Sequence, residues 1–239
     1  MIVALDPGHG GADPGAQSAG LVEAGLNLQL AFVTASALRA RGFGVYLTRT
    51  GDETVGLAER VERAAGARAD LFLSLHHNAA AFPEARGTEV LYDPGFASSR
   101  ELAAAVRREL TLLPTQDRGL VARPDLPVLT LASRAGMPAC LVELAFLTNP
   151  ADRQLLLAPA FHRLAAAALA RGVRRYAGPS RAAVGALALI GSLSYAGLLV
   201  ALGKKSGGGA GPWGPTLILT RTPCGASRPG SPAASGSPA

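Results

Sequence analysis

Short apolar runs alternate with segments of helical periodicity along the first 178 residues of the chain. The apolar runs predict buried strands at 1–5, 44–49, 71–76, 88–92 and 139–143. Recurrence of apolar residues every three or four positions predicts helices at 23–41, 54–67, 98–112, 151–157 and 160–176. Because strands and helices alternate, we expect a single α/β domain with a mostly parallel sheet and helices on both faces. Residues 114–127 are typical of a loop, and residues 128–132 fit either a strand or a short helix.

The periodic pattern ends near Gly178, and a long uncharged segment follows it. Residues 182–202 are 21 uncharged residues, mostly Ala, Leu and Val, with basic residues on both flanks. A helix of this length spans the roughly 30 Å hydrocarbon core of a bilayer. We therefore expect a transmembrane or membrane-associated helix over 179–205, with an amphipathic or buried core helix as the alternative. Residues 206–239 are rich in Gly, Pro, Ser and Ala and are expected to form a disordered tail.

Charge is distributed unevenly along the chain, whose formal net charge is +6. All 17 acidic residues lie at or before Asp152; that segment carries 13 arginines and a net charge of −4, whereas the remainder carries +10. The predicted domain is therefore not basic, and we expect no nucleic-acid partner. Attraction of the basic C-terminal part to a membrane or to an anionic cell-wall polymer stays open.

The two cysteines do not indicate a disulfide framework. Cys140 and Cys224 are the only cysteines, and their spacing is not that of a zinc site either. Cys140 lies inside an apolar run and is expected in the core. Met1 already belongs to the first predicted strand, so we expect no cleavable N-terminal signal peptide. We also expect a monomer.

Candidate chemistry begins in the glycine-rich loop at residues 5–15, which follows the first strand and has the sequence LDPGHGGADPG. No Gly-Lys-Ser/Thr or G-x-G-x-x-G pattern is present, which argues against a phosphate cradle. The carboxyl ends of parallel strands meet at one edge of a sheet, where α/β folds build their sites. His9 follows the first strand, His76 ends the third, Glu143 ends a later one, and Glu23 opens the helix after the His9 loop. We therefore expect these four side chains to lie together.

Two histidines and two carboxylates are the groups that a catalytic zinc site requires. Such a site has three protein ligands and a water whose pKa falls toward about 7. The fourth group can then serve as a general base. Each residue alone has a structural explanation, since acids such as Glu23 favour helix N-termini. Glu143 is harder to explain in this way, because an unpaired carboxylate in an apolar run is costly to bury. The convergence of the four favours a zinc hydrolase.

Five motifs resemble the zinc-dependent N-acetylmuramoyl-L-alanine amidases, and the resemblance covers residues 2–176. The motifs are LDPGHGG at 5–11, Glu23 followed by Leu26-Asn27, LTR at 47–49, SLHHNA at 74–79 and LVELAFLTNP at 141–150. The resemblance implies that His9, Glu23 and His76 bind one zinc ion and that Glu143 is the catalytic acid/base. It also implies hydrolysis of the amide between muramic acid and L-alanine in peptidoglycan, at the cell envelope.

Three neighbouring residues are expected to support this site. Asp6 and Asn78 are expected to orient the ligands or to contact substrate, with loop and turn capping as the alternative. His77 could replace His76 as a ligand, but the motif alignment and strand alternation favour His76. His77 is then expected to support the ligands or to face solvent.

Residues outside the metal set give weaker indications. Arg49 is expected to pair with Asp52 or Glu53, and His162 is expected on the surface, away from the site. The chain departs from the family's pattern at Ala65-Gly66, where Ala-Asn is usual.

The segment after the fourth strand departs from the family's pattern at a second place. It also bears on access to the site. The basic residue that the family carries soon after Arg118-Gly119 is replaced by Val121 or displaced to Arg123. Some family members also carry an inhibitory helical insertion. Here only 20 residues separate Tyr92 from Leu113, so we expect an uncovered site.

Two alternative functions stay open. One is a zinc peptidase or deacetylase that acts on another amide. The other is a non-catalytic wall-binding module tethered by residues 182–202. Retention of all four candidate residues argues against the non-catalytic module.

Overall fold

The computed structural model describes residues 1–178, which form an α/β domain on one six-stranded sheet. The strands of this sheet are β1 (Ile2–Pro7), β4 (Gly44–Leu47), β5 (Leu71–Asn78), β6 (Thr88–Tyr92), β7 (Asp117–Ala122) and β8 (Ala139–Phe146). Two further strands, β2 (Gln17–Ser18) and β3 (Leu21–Val22), pair as a small antiparallel hairpin. The strand order across the sheet is β4-β1-β5-β8-β6-β7, and most pairs are parallel. The predicted fold class is confirmed.

Helices cover both faces of this sheet. They are α1 (Glu23–Arg39), α2 (Leu57–Gly66), α3 (Ala97–Leu110), α4 (Pro127–Arg134), α5 (Pro150–Leu156) and α6 (159–178). The apolar sides of α1, α3 and α6 pack on one face together with Leu73 of β5, and those of α2 and α4 pack on the other face with Phe72. Successive residues of β5 thus enter opposite cores, because side chains alternate across a strand. Burial on both faces explains why the strands have continuous apolar runs.

The sheet differs from the expected arrangement on its β6–β7 side. β6 is antiparallel to β8, although it is parallel to β7. β7 lies within residues 114–127, where we expected a loop, so that prediction was wrong. The sequence DRGLVA of β7 has an apolar run of only three residues, because β7 is an edge strand whose residues are exposed or half-buried. The ambiguous residues 128–132 belong to α4.

The helix boundaries shift by a few residues, and one shift has a structural reason. α2 begins at Leu57, whereas the pattern predicted a start at Thr54. Thr54 is used differently, since its Oγ1 accepts a hydrogen bond of 2.8 Å from the backbone N–H of Ala12. This bond ties the segment before α2 to the glycine-rich loop that follows β1.

The topology brings the ends of four strands to one edge of the sheet. β1, β5 and β8 run parallel, so their carboxyl ends meet there, as predicted. His76 of β5 is in register with Glu143 of β8, which is in register with Glu89 of β6 on its other side. Because β6 runs in the opposite direction, its amino end reaches the same edge.

Within residues 1–178, no helix combines the length and the apolar character needed to cross a membrane. The predicted membrane helix at 182–202 and the predicted disordered tail at 206–239 lie outside the described residues.

Candidate metal centre and active site

The glycine-rich loop after β1 brings the His9 side chain against Glu23 and His76. His9 has a φ of 60°, in the left-handed region that costs a non-glycine residue energy. Close approach explains two of the glycines. A Cβ on Gly8 would lie 2.1 Å from Nε2 of His76, and one on Gly15 would lie 2.7 Å from Oε2 of Glu23. The ligand positions therefore require glycine at both places.

The structure brings the three predicted metal ligands together. Oε1 of Glu23 lies 3.2 Å from Nε2 of His9 and 2.9 Å from Nδ1 of His76. The centroids of the two imidazole rings are 4.9 Å apart, and the rings are inclined at 77°. The potential ligand atoms of the three residues all lie within 4.8 Å of one another, so one metal ion can bind all three.

The chemistry of this donor set fits zinc. Two imidazoles and one carboxylate are a common set of protein ligands in catalytic zinc sites, and they leave a coordination position for water. Burial opposes ionisation of Glu23, but hydrogen bonds from His76 and His9 outweigh it and hold the pKa of Glu23 well below its usual range. The same contact with Glu23 raises the pKa of His9 to about 9. The buried carboxylate is therefore charged and attracts cations, and a metal ion would replace the protons that the imidazoles share with it.

A buried hydrogen-bond chain fixes the Glu23 carboxylate. Nδ2 of Asn27 donates to the carbonyl of Gly8 at 3.1 Å and to Oε1 of Glu23 at 3.3 Å. Oδ1 of Asn27 accepts from Nδ1 of His77 at 2.7 Å, and the backbone N–H of His77 donates to Glu23 at 3.3 Å. Asn27 and His77 therefore orient the central ligand, which metal sites commonly require.

His77 is buried, so the alternative that it faces solvent was wrong. Strand alternation does point it away from His76, but helices cover that face of the sheet as well. Burial lowers the pKa of His77 to about 3. His162 packs beside it, with ring centroids 6.1 Å apart. The expectation that His162 lies on the surface was also wrong, because α6 is alanine-rich on several sides and its pattern does not mark the buried face.

Asp6 supports the glycine-rich loop indirectly. Its carboxylate accepts hydrogen bonds from Thr48 at 2.6 Å, Arg60 at 2.9 Å and Ser74 at 2.8 Å. Arg60 also donates to the main-chain carbonyl of His9 at 2.8 Å. Asp6 therefore positions His9 through the arginine, and within residues 1–178 it has no hydrogen bond to a ligand side chain.

Arg49, which follows the carboxyl end of the neighbouring strand β4, holds the same loop. Its guanidinium is buried and donates to the carbonyls of Pro7 at 2.9 Å, Gly8 at 2.9 Å and Ala24 at 2.7 Å. The expected ion pair with an acidic neighbour was therefore wrong. Sequence reasoning missed this role, as it missed Arg60, because arginines that bind main-chain carbonyls leave no pattern of opposite charges in the sequence.

Glu143 lies on β8 beside His76 but outside this hydrogen-bond network. Its Oε2 atom is buried and has no hydrogen-bond partner in the part of the chain that the structure describes. Burial raises the pKa of Glu143 to about 7; the charges of Glu23 and Glu89 act in the same direction, and His76 opposes them. A carboxyl group whose pKa lies near neutrality can both take up and release a proton, as a general base must.

Asn78 contacts a carboxylate that the sequence did not single out. Its Nδ2 donates to Oε1 of Glu89 at 2.8 Å, and Nε of Arg118 donates to Oε2 of Glu89 at 2.9 Å. Within the described residues Asn78 makes no hydrogen bond to a metal ligand. Glu89 is one polar residue of an alternating strand, and only its register with Glu143 reveals its place beside the site.

Comparison with known proteins agrees with this geometry. The model of the family described as N-acetylmuramoyl-L-alanine amidase matches residues 3–175. The chain belongs to this family. A solved member, N-acetylmuramoyl-L-alanine amidase from Clostridium difficile 630, is 32% identical with a TM-score of 0.71, and the match covers 75% of this chain and 97% of that one.

Two amidases of the family are longer than the matched region. LytC of Bacillus subtilis is 38% identical over 175 residues, which cover 72% of this chain and 34% of LytC. AmiC of Neisseria meningitidis is 34% identical over 220 residues, which cover 73% of this chain and 52% of AmiC. The chain thus spans about a third of LytC and about half of AmiC.

Proposed function

We propose that this amidase-family chain is a zinc-dependent N-acetylmuramoyl-L-alanine amidase. It hydrolyses the amide between the lactyl group of N-acetylmuramic acid and L-alanine in peptidoglycan, and it acts at the cell wall. The observation that carries the proposal is the convergence of His9, Glu23 and His76 at the sheet edge, with Glu143 beside them. The family match over residues 3–175 supports the choice of substrate.

The proposed mechanism divides the work between ligands and base. His9, Glu23 and His76 would hold a zinc ion, which polarises the scissile carbonyl and acidifies water when bound. Glu143 accepts a proton from the attacking water and later donates it to the nitrogen of the leaving L-alanine. The Oε2 atom of Glu143 has no hydrogen-bond partner within residues 1–178, so this oxygen is available to take up and release a proton.

The positioning residues make this arrangement rigid before substrate arrives. Asn27 and His77 orient the carboxylate of Glu23, while Arg49 and Arg60 hold the main chain around His9. Ligands held in this way need little reorganisation during the reaction, which lowers its barrier.

The test is an end-group assay on purified peptidoglycan with zinc-loaded protein. Hydrolysis of the proposed bond releases peptides whose new amino terminus is L-alanine. A peptidase would expose other amino termini, a deacetylase would release acetate, and a binding module would release neither. New L-alanine termini with the wild type, and at least about 100-fold fewer with Glu143→Gln, are expected from the usual contribution of a general base. Any other product overturns the proposed reaction.

A further inference from the structure

Four strands place polar side chains in a row along the edge of the sheet that carries the candidate metal centre. His76 lies on β5, Glu143 on β8, Glu89 on β6 and Arg118 on β7, and these strands are neighbours in that order. The first three residues are in register, so their side chains leave the same face of the sheet. The hydrogen bond from Arg118 to Glu89 places the guanidinium on that face as well. The row of side chains therefore begins at His76, a proposed metal ligand, and ends at the cationic side chain of Arg118.

The proposed reaction indicates on which side of the metal ligands the leaving group of the substrate lies. The base that takes the proton from water must return it to the leaving nitrogen, so that nitrogen lies on the Glu143 side of the metal ligands. A peptide that begins with this nitrogen can extend along the row toward β6 and β7. Strands are spaced about 4.8 Å apart, so β7 is roughly 10 Å from β8. Two extended residues span up to about 7 Å, and the arginine side chain covers the remaining distance.

Arg118 is held in place but retains free hydrogen-bond donors. Its Nε bonds Glu89, and its guanidinium carbon lies 4.9 Å from the ring centroid of Phe146. Asn78 fixes the other oxygen of Glu89. Within residues 1–178, neither Nη group of Arg118 has a hydrogen-bond partner, and the side chain is 35% exposed.

Two neighbouring arginines use their donors differently. Arg107 binds Asp117 and Arg123 binds Asp125, each through both Nε and an Nη group. Their forks are therefore occupied by carboxylates of the protein. Of these three arginines, Arg118 alone has two Nη groups without a hydrogen-bond partner among residues 1–178. The paired N–H groups of a guanidinium match a carboxylate in charge and geometry.

We propose that Arg118 binds a carboxylate of the stem peptide on the leaving-group side of the scissile bond. In peptidoglycan the residue after L-alanine is D-glutamate linked through its side chain, which leaves its α-carboxylate free. Arg118 is then a specificity-determining residue that distinguishes D-glutamate from its amidated form, D-isoglutamine. The inference rests on the proposed function, because it takes the substrate and the direction of the peptide from that proposal.

The experiment compares two muramyl dipeptides that differ only at this carboxylate, and in both the γ-carboxyl group is blocked as an N-methylamide to imitate its linkage in the stem peptide. One carries D-glutamate after L-alanine, and the other carries D-isoglutamine. Zinc-loaded wild type is expected to cleave the D-glutamate form with a roughly tenfold higher kcat/KM, as for the loss of one charge-assisted hydrogen bond. Arg118→Gln is expected to reduce this ratio to about one, and Arg118→Lys, which keeps the charge but not the fork, to an intermediate value.

Arg123→Gln is the matched control. It removes the same charge from the residue that follows β7, whose guanidinium is already occupied by Asp125, and is expected to keep the full ratio. A purely structural role of Arg118 in holding Glu89 would lower the rates on both substrates and leave the ratio unchanged, which would overturn the proposal. Equal rates of the wild type on the two substrates would overturn it as well, while the amidase proposal would stand.

Calorimetry with the released dipeptides separates this inference from the proposed function. Binding of L-alanyl-D-glutamate and of L-alanyl-D-isoglutamine, each with the same γ-methylamide, needs no turnover. If neither muramyl dipeptide is cleaved, the proposed function fails on this substrate class and the dipeptides decide the role of Arg118 alone. Tighter binding of the D-glutamate form that disappears in Arg118→Gln supports the role, and equal binding contradicts it.

Discussion

The proposed metal-binding part of the site and the proposed base have opposite surroundings. Glu23 lies among hydrogen bonds from Asn27, from the main chain and from two imidazoles. Glu143, on a neighbouring strand, has an Oε2 atom without any partner among residues 1–178. The pKa values move apart accordingly, since that of Glu23 falls and that of Glu143 rises to about 7.

This difference fits the two roles that we propose for the carboxylates at this edge of the sheet. A metal ligand must stay ionised and fixed, so the fold surrounds it with donors. A general base must exchange a proton, so the fold leaves it in an apolar strand with few partners. Pairs of carboxylates whose environments separate their pKa values are typical of acid/base sites.

The largest expected effect follows from removing the ionised ligand. Glu23→Gln keeps the shape of the side chain but removes the charge that both imidazoles contact. Zinc affinity is expected to fall by more than about 100-fold, beyond the loss that outer positioning residues cause. Equilibrium dialysis against a chelator measures this change. A variant that keeps one zinc per chain at wild-type affinity would show that Glu23 is not a ligand.

The hydrogen bonds that hold the glycine-rich loop around His9 can be tested at Arg60. Arg60→Met leaves the buried carboxylate of Asp6 without its cation, and such a loss costs about 3–5 kcal/mol of unfolding free energy. Denaturant unfolding of both proteins gives the difference. Arg63→Met on the same helix is the control and should cost far less, because Arg63 pairs near the surface with Glu59. Equal losses in the two variants would contradict the role assigned to Arg60.

A smaller effect concerns the buried histidines behind Glu23. Burial lowers the pKa of His77 to about 3, and it lowers the pKa of His162 as well. Below the unfolded value near pH 6.5, the unfolded state takes up these protons more readily than the folded state, so stability falls as the pH decreases. The loss for each histidine is at most about 1.4 kcal/mol per pH unit.

His162→Phe removes one of these two protons. The metal-free variant is therefore expected to lose less stability than the wild type between pH 6.5 and pH 5, in urea unfolding at both values. Parallel losses in the two proteins would show that His162 is not buried as a neutral residue.

The fold could be predicted where burial leaves a clear pattern. Central strands such as β5 are covered on both faces and therefore appear as apolar runs. β7 could not be found, because this edge strand has an apolar run of only three residues. The antiparallel direction of β6 was also not predictable, since short strands carry no signal for direction.

The convergence of His9, Glu23, His76 and Glu143 could be predicted because each lies at a strand end or a helix start on one edge. The residues that hold these four in place could not be predicted. Arg49 and Arg60 bind main-chain carbonyls that only the folded loop presents. Glu89 is near the base only because β6 pairs with β8, so its place depends on long-range strand pairing.

The proposed mechanism assigns metal binding and proton transfer to separate residues. The variant Glu143→Gln tests this division. Zinc content and the release of L-alanine termini are measured on the same preparation of wild type and variant. We expect one zinc per chain in both proteins and at least about 100-fold slower hydrolysis by the variant. Hydrolysis at the wild-type rate, or loss of the zinc together with activity, would contradict this division.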